Sequence, residues 1–168
     1  MTIASFDHLE PGAKKALLLQ CCGSSAWAEK MIKMPPAEDL IDLFEDAEEK
    51  WYECNEDDWK EAFRHHPKIG DIDALRKTFS SDKFAGDEQQ LIDQAPEETL
   101  ELLAKANNLY EKKFGYIFIV CATGKSADEM LEILNARLAN TPDEEIKIAM
   151  DEQNKITKLR LEKLFETD

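Results

Sequence analysis

The residues best suited to chemistry lie in a short loop that contains two adjacent histidines. His65 and His66 are followed by Pro67, and Gly70 comes three positions later. Proline restricts both its own backbone and that of the preceding residue, so His66 is expected in a rigid turn rather than in a helix. Gly70 lets the backbone approach a ligand closely. Because an imidazole changes its charge near neutral pH, the loop predicts a general acid–base catalyst, with His66 moving the proton.

Other uses of the histidines stay open at this point. The chain has three of them, His8, His65 and His66, and a single histidine is often only structural. Three are few for a metal site, and the chain lacks a glycine-rich phosphate loop, a GxSxG elbow and an HExxH motif. A metal hydrolase that uses His65 and His66 is disfavoured because no carboxylate–histidine spacing supports it. The sequence therefore predicts no metal site.

Arg160 is the second candidate, because it interrupts an apolar face of the last predicted helix. On a helical wheel with about 100° per residue, Gln153 and Arg160 fall within the apolar stripe of this helix. Its apolar members are Ile146, Ala149, Met150, Ile156, Leu161 and Leu164. A charge in such a stripe is costly unless it is paired. Arg160 either neutralises a buried carboxylate or holds a substrate carboxylate with two parallel hydrogen bonds, and periodicity does not separate the two.

A third polar group follows Gly86 at a predicted helix start. It consists of Asp87, Glu88, Gln89 and Gln90. On its own this pattern is typical of a charged first turn, which the helix dipole favours.

Helices must position most of these residues. Glu, Lys, Leu and Ala are common, whereas Gly and Pro number six each, a balance that favours helices. Apolar periodicity, first-turn prolines, glycine stops and capping boxes set the expected boundaries. Helices are predicted over 11–22, from Ser24 or Ser25 to Lys33, over 38–53 and 56–64, from Asp71 or Asp73 to Phe79, and over 89–94 and 96–113. Two more begin at Ser126 and Thr141, and the last reaches about Phe165.

One run of the sequence, residues 114–121, has the composition of a strand. No second run of this kind is available to pair with it, so we expect a buried extended segment near 116–122 rather than a sheet. No repeat, low-complexity tract or linker divides the chain. The sequence therefore predicts an all-α, helical-bundle-like single domain over residues 1–168, with about eight helices.

The charge of the chain limits its partners. The net charge is −15, which repels nucleic acid and anionic membranes, so neither is expected as a partner. No apolar run approaches the roughly 18–20 residues of a membrane-spanning helix, and the first residues lack the features of a signal peptide. We therefore expect a soluble, cytoplasmic protein. Its four cysteines are expected to be reduced and mostly buried: Cys21, Cys22, Cys54 and Cys121.

Ordered motifs run along most of the chain. The central one is Trp59-x-x-Ala62-Phe63-x-x-His66-Pro67-x-Ile69-Gly70. Others are Cys22-Gly23-Ser24-Ser25-x-Trp27-Ala28, Glu88-Gln89, Asn108-x-Tyr110-x-x-Lys113-Phe114-Gly115-Tyr116-x-Phe118-Ile119-Val120, Ala136-Arg137-Leu138 and Lys155-Ile156-x-x-Leu159-Arg160-Leu161. Together they resemble the 2-oxo-4-hydroxy-4-carboxy-5-ureidoimidazoline (OHCU) decarboxylases, which act in the breakdown of urate to (S)-allantoin.

The resemblance implies an all-α homodimer that decarboxylates a small anionic ureidoimidazoline without a metal or an organic cofactor. It implies catalytic roles for His66 and Glu88. It also implies a set of substrate-binding residues: Pro67, Ala85, Gln89, Ile119, Val120, Cys121, Ala122 and Arg160. The chain departs from the family pattern at two positions, since Ala85 stands where serine is frequent and Thr123 where arginine or lysine is frequent.

The last predicted helix also carries apolar residues away from its core stripe. Ile148 and Leu159 lie roughly opposite that stripe, at about 200° and 220° on the same wheel. Neighbouring exposed apolar residues often mark an interface. These two are therefore predicted to contribute to the homodimer.

A function of another class stays an alternative, namely a catalytically inactive helical module that binds a partner through its acidic face. Such a module has no need for a loop histidine, a Glu-Gln pair and an arginine that all match one family. Their joint presence favours the enzyme.

Overall fold

The computed structural model describes residues 1–68 and 96–165 of the chain. These residues form eight α-helices and no strand, which confirms the predicted all-α class. The helices are α1 Ile3–Asp7, α2 Pro11–Cys21, α3 Ser25–Met31, α4 Leu40–Tyr52, α5 Glu56–Arg64, α6 Glu97–Phe114, α7 Ala127–Arg137 and α8 Pro142–Phe165. The helices predicted at 71–79 and 89–94 lie outside the described residues, as do Ala85, Glu88 and Gln89.

A capping box fixes where α5 begins, and the histidine loop follows the other end of this helix. The Asn55 side chain accepts hydrogen bonds from the backbone N–H groups of Asp57 and Asp58, while the Asp58 carboxylate accepts the N–H of Asn55. This reciprocal box satisfies donors that a helix start otherwise leaves unpaired. The helix then ends at Arg64, as predicted, so that His65 caps it and His66 follows outside it.

The two capping boxes predicted further along the chain are confirmed. Ser126 and Glu129 exchange hydrogen bonds at the start of α7, and Thr141 and Glu144 do so at the start of α8. In both, a hydroxyl accepts the N–H of the glutamate while the carboxylate accepts the N–H of the cap residue.

The structure differs from the predicted boundaries at several places, among them the start of α4, which begins at Leu40 instead of residue 38. A short N-terminal helix, α1, was not predicted, although Thr2 and Ser5 form a capping box at its start. Helix α3 ends at Met31 instead of Lys33, because the backbone tightens there into hydrogen bonds between residues three apart. Phe114 closes α6 rather than opening an extended run, since Gly115 adopts the left-handed conformation (φ 83°) that ends a helix.

The described helices belong to two compact units. One comprises Met1–His65 with Gln153–Asp168, and the other comprises His66–Glu152. The prediction of a single domain over residues 1–168 stays a prediction. Among the residues that the structure describes, no helix combines the length and apolar character needed to cross a membrane.

In the first unit, α3 packs against α2, α4 and α5. Its Trp27 is fully buried, and the indole N–H donates to the backbone carbonyl of Ala47 on α4 at 2.9 Å. Trp59 of α5 donates in the same way to the carbonyl of Trp51 at 3.1 Å. The buried Trp27 and the half-buried Trp59 therefore both pack without leaving the polar indole N–H unpaired.

In the second unit, α6 packs against α7. The hydroxyl of Thr99 on α6 donates to the Asp128 carboxylate on α7 at 2.8 Å. Residues 117–122 follow α6 without regular secondary structure, and Phe118, Ile119, Val120, Cys121 and Ala122 are all buried. This confirms the prediction of a buried non-helical segment, and no strand pairs with it among the described residues.

Candidate active site

The histidine loop leaves α5 directly. Ala62 and Phe63 are fully buried and fix the last turn of the helix in the core of the first unit. His65 caps the helix, and its backbone N–H donates to the Ala62 carbonyl at 3.1 Å. His66 and Pro67 follow as half-buried residues outside the helix, so the predicted position of His66 in a turn is confirmed.

A lysine attaches the loop to α6 in the second unit. The Lys68 ammonium donates to Asn108 Oδ1 at 2.5 Å and to Glu111 Oε2 at 2.7 Å. A single ion pair near the surface adds little stability. Two acceptors on neighbouring turns of one helix nevertheless restrict where Lys68 lies, and it follows His66 by two residues.

A glycine in the first unit is required by the close approach of His65. A Cβ atom built on Gly23 would lie 2.5 Å from His65 Cγ and 2.7 Å from its Cβ. Those atoms are close to the backbone, so the histidine cannot simply swing away. The next turn is also attached to α5, because Ser25 donates its N–H and its hydroxyl to the Glu61 carboxylate. The sequence around Gly23 thus shapes the backbone beside the histidine loop.

Side chains, rather than a neighbouring strand, supply hydrogen bonds to the buried segment 117–122. The N–H of Phe118 donates to Asn107 Oδ1 at 3.3 Å, and the N–H of Cys121 donates to Glu152 Oε2 at 2.8 Å. Buried backbone groups need such partners, because an unpaired one costs about as much as a lost hydrogen bond.

Two cationic side chains hold carbonyl groups of the same segment. Arg137 Nη1 donates to the carbonyl of Ile119 at 2.7 Å, and Lys125 Nζ donates to the carbonyl of Cys121 at 2.9 Å. Thr123, where the family pattern often has a basic residue, is exposed. The cation of this turn is instead Lys125, two residues later, whose side chain reaches back to the segment.

Three backbone donors of the segment stay without an internal acceptor. The N–H groups of Ile119, Val120 and Ala122 have no hydrogen-bond partner within residues 1–68 and 96–165. These residues are only 2%, 4% and 8% exposed. Buried donors without a partner are rare in folded proteins, so these three N–H groups are candidate contacts for a bound acceptor.

A buried ion pair lies behind the segment. Glu145 is fully buried and accepts Arg137 Nε at 2.7 Å, while Asn140 donates to its other oxygen at 2.9 Å. The Tyr110 hydroxyl also donates to Glu145, at 2.5 Å. Burial raises the pKa of Tyr110 well above its usual range, and the hydrogen bond to Glu145 raises it further. The tyrosine is therefore a neutral donor at physiological pH.

Arg160 is half-buried on α8 in the first unit. It makes no ion pair or hydrogen bond with any residue in the described ranges, so a structural pairing with a carboxylate is not seen there. The predicted stripe around it is otherwise correct, since all its apolar members and Gln153 are buried. Arg160 itself is only half-buried, unlike these neighbours.

The thiols close to Arg160 are not suited to nucleophilic chemistry. Burial raises the pKa of Cys21 and of Cys22 to about 12, although the charge of Arg160 lowers both in part. Burial likewise raises the pKa of Cys54 to about 11. All four cysteines are free and buried, as predicted. No group of three potential metal ligands occurs in the described part of the chain.

Arg137 is not among the candidate site residues from the sequence, although it belongs to the motif Ala136-Arg137-Leu138. The signal was available, because Met130, Leu134 and Arg137 follow one another at helical spacing and all are buried on α7. The periodicity argument that singled out Arg160 therefore applies to Arg137 as well. Asn107 and Glu145 are polar residues on buried helix faces that the same test would have found.

These features define the class of protein: an all-α chain with a histidine loop and a buried segment whose backbone includes three donors without an acceptor in the part of the chain that the structure describes. The family model described as OHCU decarboxylase matches residues 7–162. The chain belongs to the OHCU decarboxylase family.

Individual relatives agree with this assignment. The chain is 39% identical over 148 residues to the uric acid degradation bifunctional protein TTL of Arabidopsis thaliana, a match that covers 86% of this chain and 45% of the relative. It is 29% identical over 102 residues to the 2-oxo-4-hydroxy-4-carboxy-5-ureidoimidazoline decarboxylase of Xenopus laevis, covering 61% of this chain and 58% of that protein. The chain thus spans about half the length of these curated relatives.

Two solved structures share the fold. One is an OHCU decarboxylase crystallised in the presence of (S)-allantoin, with 38% identity and a TM-score of 0.76, covering 88% of this chain and 95% of that one. The other is an (S)-allantoin synthase with 17% identity and a TM-score of 0.72, covering 99% of this chain and 55% of that one. The second likeness concerns the fold alone.

The contact between Gly23 and His65 leads to a prediction about stability. Gly23→Ala is expected to lower the free energy of unfolding by about 1–3 kcal/mol, because the added methyl overlaps the histidine. Gly12→Ala is the matched control: nothing lies within 4 Å of its Cβ position in α2, so we expect stabilisation by about 0.4–1 kcal/mol. Urea denaturation followed by circular dichroism measures both, and equal effects would refute the steric explanation.

Proposed function

We propose that this chain decarboxylates 2-oxo-4-hydroxy-4-carboxy-5-ureidoimidazoline to (S)-allantoin in urate breakdown, with no metal or organic cofactor. Membership of the OHCU decarboxylase family supports this. So does the 38% identity to a decarboxylase crystallised with (S)-allantoin present. The observation that carries the proposal is the buried segment whose backbone donors at Ile119, Val120 and Ala122 have no acceptor among residues 1–68 and 96–165.

Those donors suit an oxygen-rich anion. An unsatisfied buried N–H costs about 1–3 kcal/mol, which a bound acceptor would recover. The proposed substrate has a carboxylate, a ring carbonyl and a ureido carbonyl, so several acceptors are available. Donors that are already fixed in place need no reorganisation when charge develops in the reaction.

The reaction itself needs no electron sink from a cofactor. The substrate carboxylate is attached to a ring carbon beside a C=N bond. When the C–C bond breaks and carbon dioxide leaves, the electron pair flows into the C=N, whose nitrogen takes up a proton. The adjacent hydroxyl then loses its proton as it becomes a carbonyl, and the neighbouring carbon gains one. One proton is taken up overall. The face of the ring on which the carbon gains its proton sets the configuration of allantoin.

Each residue has a role in this proposal that matches its chemistry. His66 exchanges the protons, since an imidazole does so near neutral pH. Arg160 binds an anionic group of the substrate, supported by its lack of a carboxylate partner among the described residues. In a chain of net charge −15 such a local cation is needed to attract an anion. Glu88 assists catalysis and Gln89 binds the ureido group.

The remaining assignments are proposals of the same kind. Pro67, Ala85 and the segment Ile119–Ala122 line the substrate pocket, Cys121 included. We propose a cytoplasmic homodimer in which residues 1–168 form a single domain. The exposed Ile148 on α8 supports an interface on that helix.

The role of His66 is tested by comparing it with its neighbour. His66→Asn is expected to lower the turnover of freshly generated OHCU by about 10²–10⁴-fold, the usual contribution of a general acid–base group. His65→Asn is the matched control and should be mild, because asparagine keeps the Cβ and Cγ atoms that pack on Gly23. Both variants should retain the helical circular dichroism of the wild type. Activity of His66→Asn within about tenfold of wild type would remove the histidine from this role.

The role of Arg160 is tested by separating stability from affinity. Arg160→Lys replaces a planar two-pronged donor by a point charge. Losing one charge-assisted hydrogen bond costs about 1.5–3 kcal/mol, or roughly ten- to a hundredfold in kcat/KM, with melting unchanged. Arg64→Lys, at an exposed arginine, is the control for the exchange itself. An Arg160→Lys protein that melts much earlier yet keeps wild-type kcat/KM would make the residue structural.

A further inference from the structure

We infer that Arg137 and Lys125 are positioning residues, which aim two backbone donors of the buried segment through the peptide units that carry them. The inference rests on the proposed function, because it concerns the donors assigned to the substrate. Neither residue needs to touch the substrate itself. Each holds a carbonyl oxygen, and the rigid peptide unit transmits the effect to the N–H on its other side.

The geometry of the peptide bond makes this coupling direct. A peptide unit is planar, and its C=O and N–H groups point in opposite directions when it is trans. No cis peptide occurs in the described residues. The carbonyl of Ile119 and the N–H of Val120 belong to one unit, and the carbonyl of Cys121 and the N–H of Ala122 belong to another. Fixing either carbonyl therefore fixes the direction of the donor beyond it.

Arg137 holds the first of these units. Its Nη1 donates to the Ile119 carbonyl at 2.7 Å, and Nε donates to Glu145 at 2.7 Å. Glu145 is fully buried, and its oxygens also accept Tyr110 and Asn140. The guanidinium is thus fixed by two different acceptors and has little freedom to rotate. Because the Val120 N–H belongs to the peptide unit that Arg137 holds, its direction is fixed as well.

Lys125 holds the second unit, and here the charge adds to the effect. Its Nζ donates to the Cys121 carbonyl at 2.9 Å, and its own backbone N–H donates to the Ala122 carbonyl at 3.0 Å. Within the described ranges it has no carboxylate partner. A hydrogen bond from a cation polarises the peptide unit that accepts it, which makes the opposite N–H a stronger donor. The charge of Lys125 therefore increases the partial positive charge on the N–H group of Ala122.

The arrangement alternates along the segment. The N–H of Cys121, which lies between the two free donors, is taken up by Glu152 at 2.8 Å. The carbonyl of Val120 belongs to that same peptide unit, so its direction is fixed as well. Three successive peptide units are consequently held from outside, and the donors at Val120 and Ala122 are left for a ligand.

Lys125→Met is the principal test, because Lys125 is only half-buried and its removal should leave the fold intact. We expect kcat for OHCU to fall by about tenfold, less than the roughly hundredfold cost of deleting an anion-stabilising donor itself. Lys125→Arg should restore most of the loss. The amide resonance of Ala122 should move in the nuclear magnetic resonance spectrum of Lys125→Met and return in Lys125→Arg.

A second lysine provides the matched control. Lys113 also donates to backbone carbonyls, those of Leu138 and Asn140 at 2.6 and 2.8 Å, but it does not contact the segment. Lys113→Met should leave both kcat and the Ala122 resonance unchanged. Arg137→Lys should move the resonance of Val120 rather than that of Ala122. If that variant fails to fold, the Lys125 pair decides the question alone.

The outcomes separate this inference from the function on which it rests. A wild-type protein without decarboxylase activity refutes the proposed function, and the Ala122 resonance then decides the inference. An active wild type with Lys125→Met within about twofold of its kcat overturns the inference, because the donor would not depend on the lysine. An unmoved Ala122 resonance in Lys125→Met overturns it as well.

Discussion

The constraint on which the second unit depends is the burial of a backbone segment that belongs to no helix and no sheet. Residues 117–122 carry polar N–H and C=O groups into the interior, where each needs a partner. Side chains of Asn107, Arg137, Glu152 and Lys125 supply partners to four of these groups, whereas three N–H groups of the segment have no acceptor among the described residues. Three different helices and a turn contribute these side chains. The hydrogen bonds of one short segment therefore restrict where those elements lie.

The buried ion pair of Arg137 and Glu145 also serves this segment, because Arg137 donates to the Ile119 carbonyl. Burying two charges costs desolvation that their attraction only repays in good geometry, so such a pair is weak evidence for added stability. Here the geometry also includes Tyr110, Asn140 and the carbonyl of Ile119. The pair thus fixes one conformation of a backbone that regular hydrogen bonding does not fix. Removing either partner would leave a buried charge uncompensated.

Much of this could be predicted from sequence, and the failures have physical causes. The start of α5 at Asn55 and the position of His66 beyond its end follow from local capping and proline chemistry, which depend on near neighbours. The contact between Gly23 and His65 could not be predicted, because it joins residues far apart in sequence. The same holds for Arg137, since periodicity shows that a side chain is buried but not which carbonyl it meets.

The proposed function requires this chain to direct the decarboxylation to one enantiomer. The most direct measurement generates OHCU from urate in solution, adds the protein, and follows the circular dichroism of the allantoin that forms. The unaided reaction is expected to give both mirror forms. With the protein present, we expect faster loss of the intermediate and (S)-allantoin as the predominant product. Racemic allantoin formed at the unaided rate, from protein with intact helical structure, would contradict it.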